Sequence, residues 1–204
     1  MSYQSVARGI LLAAGQGSRF DPSGLNNKLL APLPHGRCVA QEAAERLLQS
    51  VPRVLAVVRP DAEPLARLLS EAGCDVMISA QAARGMGASL AAAVKASHDE
   101  TGWIIALADM PAIAPASIEA VARALDQGAA LVAPFYRAQR GHPVGVSAQH
   151  RASLAALEGD SGARALFAQR DYLRLELDDP GILLDIDTAS DLGSVITSGS
   201  LAAR

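Results

Sequence analysis

The stretch Gly9–Phe20, GILLAAGQGSRF, passes from an apolar run straight into glycine, serine and arginine. A buried strand that ends in a glycine-rich turn presents backbone N–H groups where a phosphate can sit. Two expectations follow: a strand within an α/β sheet, and a phosphate site just beyond its carboxyl end. Gly15 and Gly17 match the first two glycines of a dinucleotide-binding G-x-G-x-x-G, but Phe20 stands where the third belongs. That third glycine permits close helix–strand packing, which a phenylalanine ring cannot reproduce. A G-x-x-x-x-G-K-[ST] phosphate loop is also absent from the sequence. What remains is a loop whose glycines expose N–H groups, with Ser18 and Arg19 as further donors. A guanidinium suits phosphate because it can donate two parallel bonds. The same residues also fit an ordinary glycine turn after a strand.

Outward from this stretch, short apolar runs alternate with helical patterns. Candidate strands are Ile10–Ala14, Arg53–Arg59, Asp75–Ser79, Trp103–Asp109, Ala130–Pro134, Pro143–Ser147, Leu173–Leu177 and Ile182–Ile186. Several are continuous Val/Ile/Leu stretches, as strands buried on both faces require. Between them, Leu65, Leu68, Leu69 and Ala72, and then Ile118, Val121, Ala122 and Leu125, recur at helical spacing. The alternation predicts an α/β fold: one doubly wound, mostly parallel sheet with helices on both faces. Gly141–Ser147 and the strands after it depart from strict alternation, so a mixed sheet is allowed. No linker or repeat divides residues 1–204, which read as a single domain; the final SGSLAAR, 198–204, is expected to fray.

The composition narrows the function classes. The chain has 204 residues, 50% hydrophobic, 19% charged and 3% aromatic, with a formal net charge of -3. Such a balance leaves no electrostatic footprint for nucleic acid. No apolar run approaches the ~18 residues of a membrane span. Cys38 and Cys74 fit free thiols in a reducing compartment, and MSYQSVARG lacks the order of a signal peptide, so a cytoplasmic location is expected. Only two lysines occur, Lys28 and Lys95, among cations that are otherwise arginine.

In folds of this class ligands bind beyond the carboxyl ends of the strands. The polar loop DPSGLNNK, 21–28, delivers Lys28, which taken alone reads first as a mobile surface lysine and second as a partner for a triphosphate. In WIIALADMP, 103–111, Asp109 sits where a strand ends and Pro111 stops the ladder. It can hold a hard cation such as Mg2+ together with phosphate oxygens and water, or satisfy the next turn. In LLDIDTASDL, 183–192, Asp185 and Asp187 fall on one side of a strand. Thr188 and Asp191 form a capping-box pattern that leaves Asp187 for a second metal carboxylate or a structural role. His35, His98, His142 and His150 show no zinc spacing. Ser161 in GDSGAR, 159–164, lacks the spacing of a nucleophile elbow. RGHPVG, 140–145, is a turn whose Arg140 and His142 can face an anionic substrate or simply connect strands.

In order along the chain, LLAAGQGSRF, NKLLAPL, GMGASLAAAV, LADMP, RGHPVGVS, GDSGAR and DIDTASDL together resemble the MobA/MocA-like nucleotidyltransferases over nearly the whole length. The subgroup most resembled is MocA, the molybdenum cofactor cytidylyltransferases, which read LAAG where the MobA guanylyltransferases read LAGG; this chain has Ala13-Ala14-Gly15. The resemblance implies a Rossmann-like fold of the nucleotide-diphosphosugar-transferase type. It also implies a reaction in which the phosphate of molybdopterin attacks the α-phosphorus of CTP, giving the cytosine dinucleotide and pyrophosphate. A xanthine dehydrogenase-type molybdoenzyme, or its chaperone, is the implied client.

By the same resemblance, Asp109 and Asp187 hold Mg2+, or Mn2+ in its place. Arg19, Lys28 and Asp109 form the catalytic set. Leu12, Ala13, Ala14, Gly15, Gly17, Ser18, Arg19, Lys28, Gly85, Met86 and Ser89 bind the nucleotide, and Arg140, His142, Asp160 and Arg164 bind the acceptor. Three features depart from the family: a longer loop between Arg19 and Lys28, TASD in place of TPED, and a more polar GRCVAQEAAERL, 36–47. The alternatives are a MobA-type guanylyltransferase, a transferase acting on another phosphorylated acceptor, and a non-catalytic module that delivers nucleotide or cofactor. A redox enzyme fits least, given Phe20.

Overall fold

Continuous Val, Ile and Leu runs become the central strands. In the computed structural model, which describes residues 5–15, 17, 20–21, 26–97, 100–169 and 171–193, four strands lie parallel. They are β1 (Arg8–Leu12), β2 (Val54–Val58), β3 (Asp75–Ile78) and β4 (Gly102–Leu107), in the order β3-β2-β1-β4. Ile10 faces Leu55 on one side and Ile105 on the other. Alternate residues serve opposite faces of the sheet. Leu11, Ala56 and Ile104 pack against α1 (Val39–Ser50), α2 (Glu63–Glu71) and, further along the chain, α4 (Pro115–Asp126). Ile10, Leu55 and Ile105 pack against α3 (Met86–Ala96), α5 (Arg151–Ala155) and α6 (Arg164–Gln169). The helices thus cover both faces, as the alternation predicts.

Beyond β4 the sheet is mixed. Strand β5 (Leu131–Tyr136) runs on to β6 (Gln139–Arg140), and β7 (Val144–Ser147) inserts antiparallel between β4 and β5. The last strand, β8 (Leu173–Glu176), pairs parallel with β5. The turn from β5 to β6 places Arg137 and Ala138 at φ of 47° and 65°. Neither is a residue that usually signals such a turn, so this hairpin has no local sequence mark.

One expected strand does not form. Ile182–Ile186 is entered by a 3-10 turn, Pro180–Leu183, and continues as extended chain outside the sheet. The apolar residues that suggested a strand are still buried: Ile182 and Ile186 are 0% and 1% exposed. Pairing with β5 is denied because one of its edges is taken by β6 and β7 and the other by β8. Asp179 starts the turn instead, accepting from the Gly181 N–H at 2.9 Å. Gly181 is required there, since a Cβ would lie 2.2 Å from the Ala112 carbonyl oxygen. The expected fraying of 198–204 lies outside the described residues.

Asp179 has a second task. Helix α4 has Ala114 at its N-cap, which offers no side-chain acceptor. The other Asp179 oxygen supplies it, accepting from Ala114 N–H at 2.9 Å and Ser117 Oγ at 2.7 Å. A residue from the late loop therefore caps a helix that follows β4, and holds that loop beside the carboxyl end of β4. Asp179→Ala is expected to lower unfolding free energy by about 1–2 kcal/mol, the usual cost of a lost N-cap. Urea denaturation of the two proteins at one pH checks it; a difference below the measurement error would remove this capping role.

Candidate active site

The chain leaves β1 toward β2 and leaves β4 toward β7, so the crevice between their carboxyl ends is a topological switch point. A cavity of about 660 Å³ opens there. Leu12, Ala14, Gly15 and Gly17 reach it from β1, and Leu107 and Asp109 from β4. The segment between β3 and α3 brings Ala82, Arg84, Gly85, Met86 and Ser89 to the far wall. Ala13 differs from the expectation: its side chain is 2% exposed and packs in the core, while its N–H donates to Val57. Ser18 and Arg19 lie outside the described residues.

Lys28 is the most tightly partnered group in this cavity. Its short 3-10 turn is capped by Asn27, whose side chain accepts from Leu29 N–H at 3.0 Å. The ammonium donates to Asp109 Oδ2 at 2.7 Å and to Asp187 Oδ1 at 3.2 Å, with the lysine side chain only 9% exposed. Burial alone favours the neutral amine. Attraction and hydrogen bonds from Asp109, and then from Asp187, outweigh it and raise the lysine pKa above its ordinary value.

The two carboxylates meet because their backbones do: Ile186 N–H donates to the Asp109 carbonyl at 2.8 Å. Asp185 lines the same cavity, as its spacing from Asp187 predicts, although the segment is not a strand. Its pKa is raised, first by burial and then, against a backbone hydrogen bond, by the nearby charges of Asp187 and Asp109. Asp191 completes its half of the capping box, accepting from Thr188 N–H at 2.6 Å and from Asp187 N–H at 3.0 Å. Asp109 and Asp187 already converge on one cation, the ammonium. They therefore fit a hard divalent ion that keeps water and phosphate oxygens in its shell.

A smaller cavity of about 240 Å³ adjoins the first and shares Leu12, Met86, Leu107 and Asp160 with it. Arg140, His142, Asp160 and Arg164, the expected acceptor residues, all line it. Phe167 lines it too, with the Arg140 guanidinium 5.3 Å from its ring centre. The wall between the cavities comes from two motifs that sequence spacing gives no reason to join. Gly85 sits at φ 107°, and a Cβ there would fall 2.4 Å from Asp160 Oδ1 and 2.6 Å from the Gly159 carbonyl. Gly87 N–H donates to that carbonyl at 2.7 Å. GMG and GDSG thus touch backbone to backbone, and only glycine allows it at position 85.

Phe167 was legible in principle, three residues after Arg164 on the helical spacing that puts both on one face. Ala82, Ala83 and Arg84 carried no signal beyond lying in a strand-to-helix junction. Asp179 carried none, because its partners are 62 and 65 residues away.

Similarity to known proteins agrees with this arrangement. Residues 9–175 match the MobA-like NTP transferase domain. Nicotine blue oxidoreductase of Paenarthrobacter nicotinovorans is 27% identical over 194 residues, covering 90% of this chain and 93% of that protein. The crystal structure of Rv0371c from Mycobacterium tuberculosis H37Rv superposes with a TM-score of 0.78 at 26% identity, covering 94% of this chain and 98% of that one. The structure of the same protein in complex with manganese gives 0.74 at 25% identity, with the same coverage. Among the described residues no helix is long and apolar enough to cross a membrane. With the Lys28–aspartate cluster and the paired cavities at the strand ends, the chain belongs to the MobA-like NTP transferase domain family and is a nucleotidyltransferase of that family.

Proposed function

We propose that this nucleotidyltransferase is a CTP:molybdopterin cytidylyltransferase, joining CMP to the terminal phosphate of molybdopterin with release of pyrophosphate. The observation that carries this reading is the pair of confluent cavities, one with Lys28 and the carboxylates, the other with Arg140 and Arg164. A triphosphate in the first and a phosphorylated acceptor in the second meet over Leu12, Met86, Leu107 and Asp160. Ala14 at the end of β1 favours CTP on the resemblance to the LAAG subgroup. A xanthine dehydrogenase-type molybdoenzyme is the client that such a product would serve, and a cytoplasmic location suits that supply.

The chemistry asks little acid–base work of the protein. A phosphate monoester with a second pKa near ~6 is largely ionised at neutral pH, so its oxygen attacks the α-phosphorus without losing a proton to the enzyme. The new P–O bond forms as the bond to pyrophosphate breaks. Positioning and charge stabilisation then supply the acceleration. Backbone N–H groups near Gly15 and Gly17 receive the phosphates, Ser18 adds a donor, and Lys28 and Arg19 neutralise charge developing on pyrophosphate. Asp109 and Asp187 would hold a divalent ion, Mg2+ or the manganese bound by the Rv0371c relative, which supplies further charge neutralisation. Ser89, bonded through Oγ to the Gly85 carbonyl at 3.2 Å, fixes the turn beside the base.

His142 faces the acceptor as a neutral imidazole. Burial pushes its pKa down to about 4; Asp109 counteracts this, while Arg140 and Arg164 reinforce it. The two arginines therefore carry the positive charge for an acceptor phosphate, and His142 offers a hydrogen bond without adding a third cation.

Pyrophosphate release in the presence of Mg2+, molybdopterin and either CTP or GTP tests the reading. CTP is expected to be strongly preferred; equal or faster release with GTP would assign a guanylyltransferase and overturn the cytidylyl step. Tight nucleotide binding without turnover would indicate a delivery module. The relative named as an oxidoreductase makes oxidation of a reduced nicotinamide dinucleotide a useful parallel assay, and it is expected to stay at background because Phe20 replaces the third glycine. Asp109→Asn is expected to cut turnover by about 10³-fold or more while the fold is retained by circular dichroism; near-normal turnover would remove Asp109 from the catalytic set.

A pH prediction follows from His142. Its folded pKa is depressed, so between roughly pH 6.5 and 4 the unfolded chain binds a proton that the native protein does not. Stability is expected to fall as pH drops through that window, by up to about 3 kcal/mol, and to flatten below it. Urea midpoints from pH 4 to 7 for the wild type and His142→Gln measure it; identical profiles would exclude His142 as the source.

A further inference from the structure

The Lys28 ammonium sits where a cation bridging Asp109 and Asp187 would have to sit, bonded to Oδ2 of one at 2.7 Å and Oδ1 of the other at 3.2 Å. From this we infer that Lys28 is a built-in counter-ion for the metal carboxylates, and that it yields the position to a divalent ion far more readily when a triphosphate takes up its ammonium. The inference rests on the reading of those two aspartates as metal ligands and deepens it: metal and nucleotide bind as a unit.

Three observations carry it. First, the ammonium and a divalent ion are like charges that cannot share one gap between two carboxylates. Second, the lysine side chain is 9% exposed, so it does not swing freely into water and needs a negative partner wherever it goes. Third, its stem already runs beside the phosphate loop: a Cβ at Gly17 would lie 3.5 Å from Lys28 Cγ, and Gly17 lines the cavity. The backbone at Lys28 is held by the Asn27 cap and by the Ala31 N–H donating to its carbonyl at 3.2 Å. The outer part of the side chain is then what moves.

Consider the four occupancies of the site. With neither ligand, ammonium and carboxylates satisfy one another. Metal alone displaces the ammonium from both carboxylates and leaves it only Asp185 on the same cavity wall. Triphosphate alone draws the ammonium away and leaves two carboxylates facing each other. Only metal with triphosphate leaves every charge opposed by its opposite. Each ligand must therefore raise the affinity of the other by the same factor.

Mn2+ binding to the nucleotide-free full-length protein, read from the free-ion signal in electron paramagnetic resonance, tests the exchange without an activity assay. The wild type and Lys28→Arg are expected to bind Mn2+ weakly, and Lys28→Met at least tenfold more tightly. Equal affinity of wild type and a folded Lys28→Met overturns the inference. Should Lys28→Met fail to fold, amine acylation of the wild type decides, with the exposed Lys95 as internal reference because the chain has no other lysine. Saturating Mg2+ alone is expected to raise labelling of Lys28 at least threefold relative to Lys95, and Mg2+ with CTP to reverse the rise; labelling unchanged by Mg2+ overturns it. Absence of pyrophosphate release together with tighter Mn2+ binding by Lys28→Met would defeat the transferase reading alone. Turnover with equal Mn2+ affinities would defeat the exchange alone.

Discussion

The contact on which the site depends is the Lys28 ammonium between two carboxylates that lie 81 and 159 residues away along the chain. A buried charge left unpaired is strongly destabilising, whereas a pair with satisfied hydrogen bonds is tolerated. Lys28 therefore ties together the loop after β1, the end of β4 and the late segment around Asp187. Backbone bonds hold the late segment independently: Ile186 N–H donates to the Asp109 carbonyl, and His142 N–H to the Ile182 carbonyl at 3.0 Å. Because the carboxylates are held by backbone and not only by the lysine, the cation between them can change identity without the scaffold coming apart.

A second constraint shapes the opposite wall. Strand β1 alone could supply phosphate donors, but a transferase also needs its two substrates set against each other. The backbone contact of GMG with GDSG puts Met86 and Asp160 at the boundary of both cavities, where on the proposed reaction the two substrates would meet. Helix α3 begins at Met86, so its first turn is aimed at this boundary, and its far end is tied to α5, where Arg151 donates to the Val94 carbonyl at 3.1 Å. The depth of the first cavity is thus fixed by a helix anchored at both ends.

What was legible in the sequence follows a physical pattern. GILLAAGQGSRF, LADMP and DIDTASDL each join a strand-like run to a polar turn, and their chemistry lies within a few residues of a recognisable boundary. The placement of the central strands and of the helices between them followed from burial periodicity for the same reason. Legibility failed where partners are distant or where local rules are broken. The Arg137–Ala138 turn has positive φ without glycine or asparagine, so β6 is invisible locally. Ile182–Ile186 has a strand's composition, but the edges of β5 were already occupied. Asp179 looks like a loop acid, and its role appears only when α4 is brought beside it. Ala13 shows the reverse error: motif membership suggested a ligand contact, whereas its side chain is core.

Nucleotidyl transfer has water as its standing competitor, and the join between the cavities bears on that competition. The residues common to both are Leu12, Met86, Leu107 and Asp160, three of them apolar. Polar and charged groups are distributed to either side: Lys28 and the aspartates in the larger cavity, which the proposed reaction gives to the triphosphate, and Arg140, His142 and Arg164 in the smaller one, which it gives to the acceptor. A boundary of mostly apolar side chains offers few hydrogen bonds to a water molecule poised for attack, so on the proposed reaction an acceptor phosphate anchored by the arginines would occupy the in-line position at lower cost than water. On that reading a neutral His142 serves the same end, because a third cation beside those arginines would hold the attacking oxygen more firmly and make it a poorer nucleophile. The charged groups would then bind the two substrates from either side of a boundary that is mostly apolar.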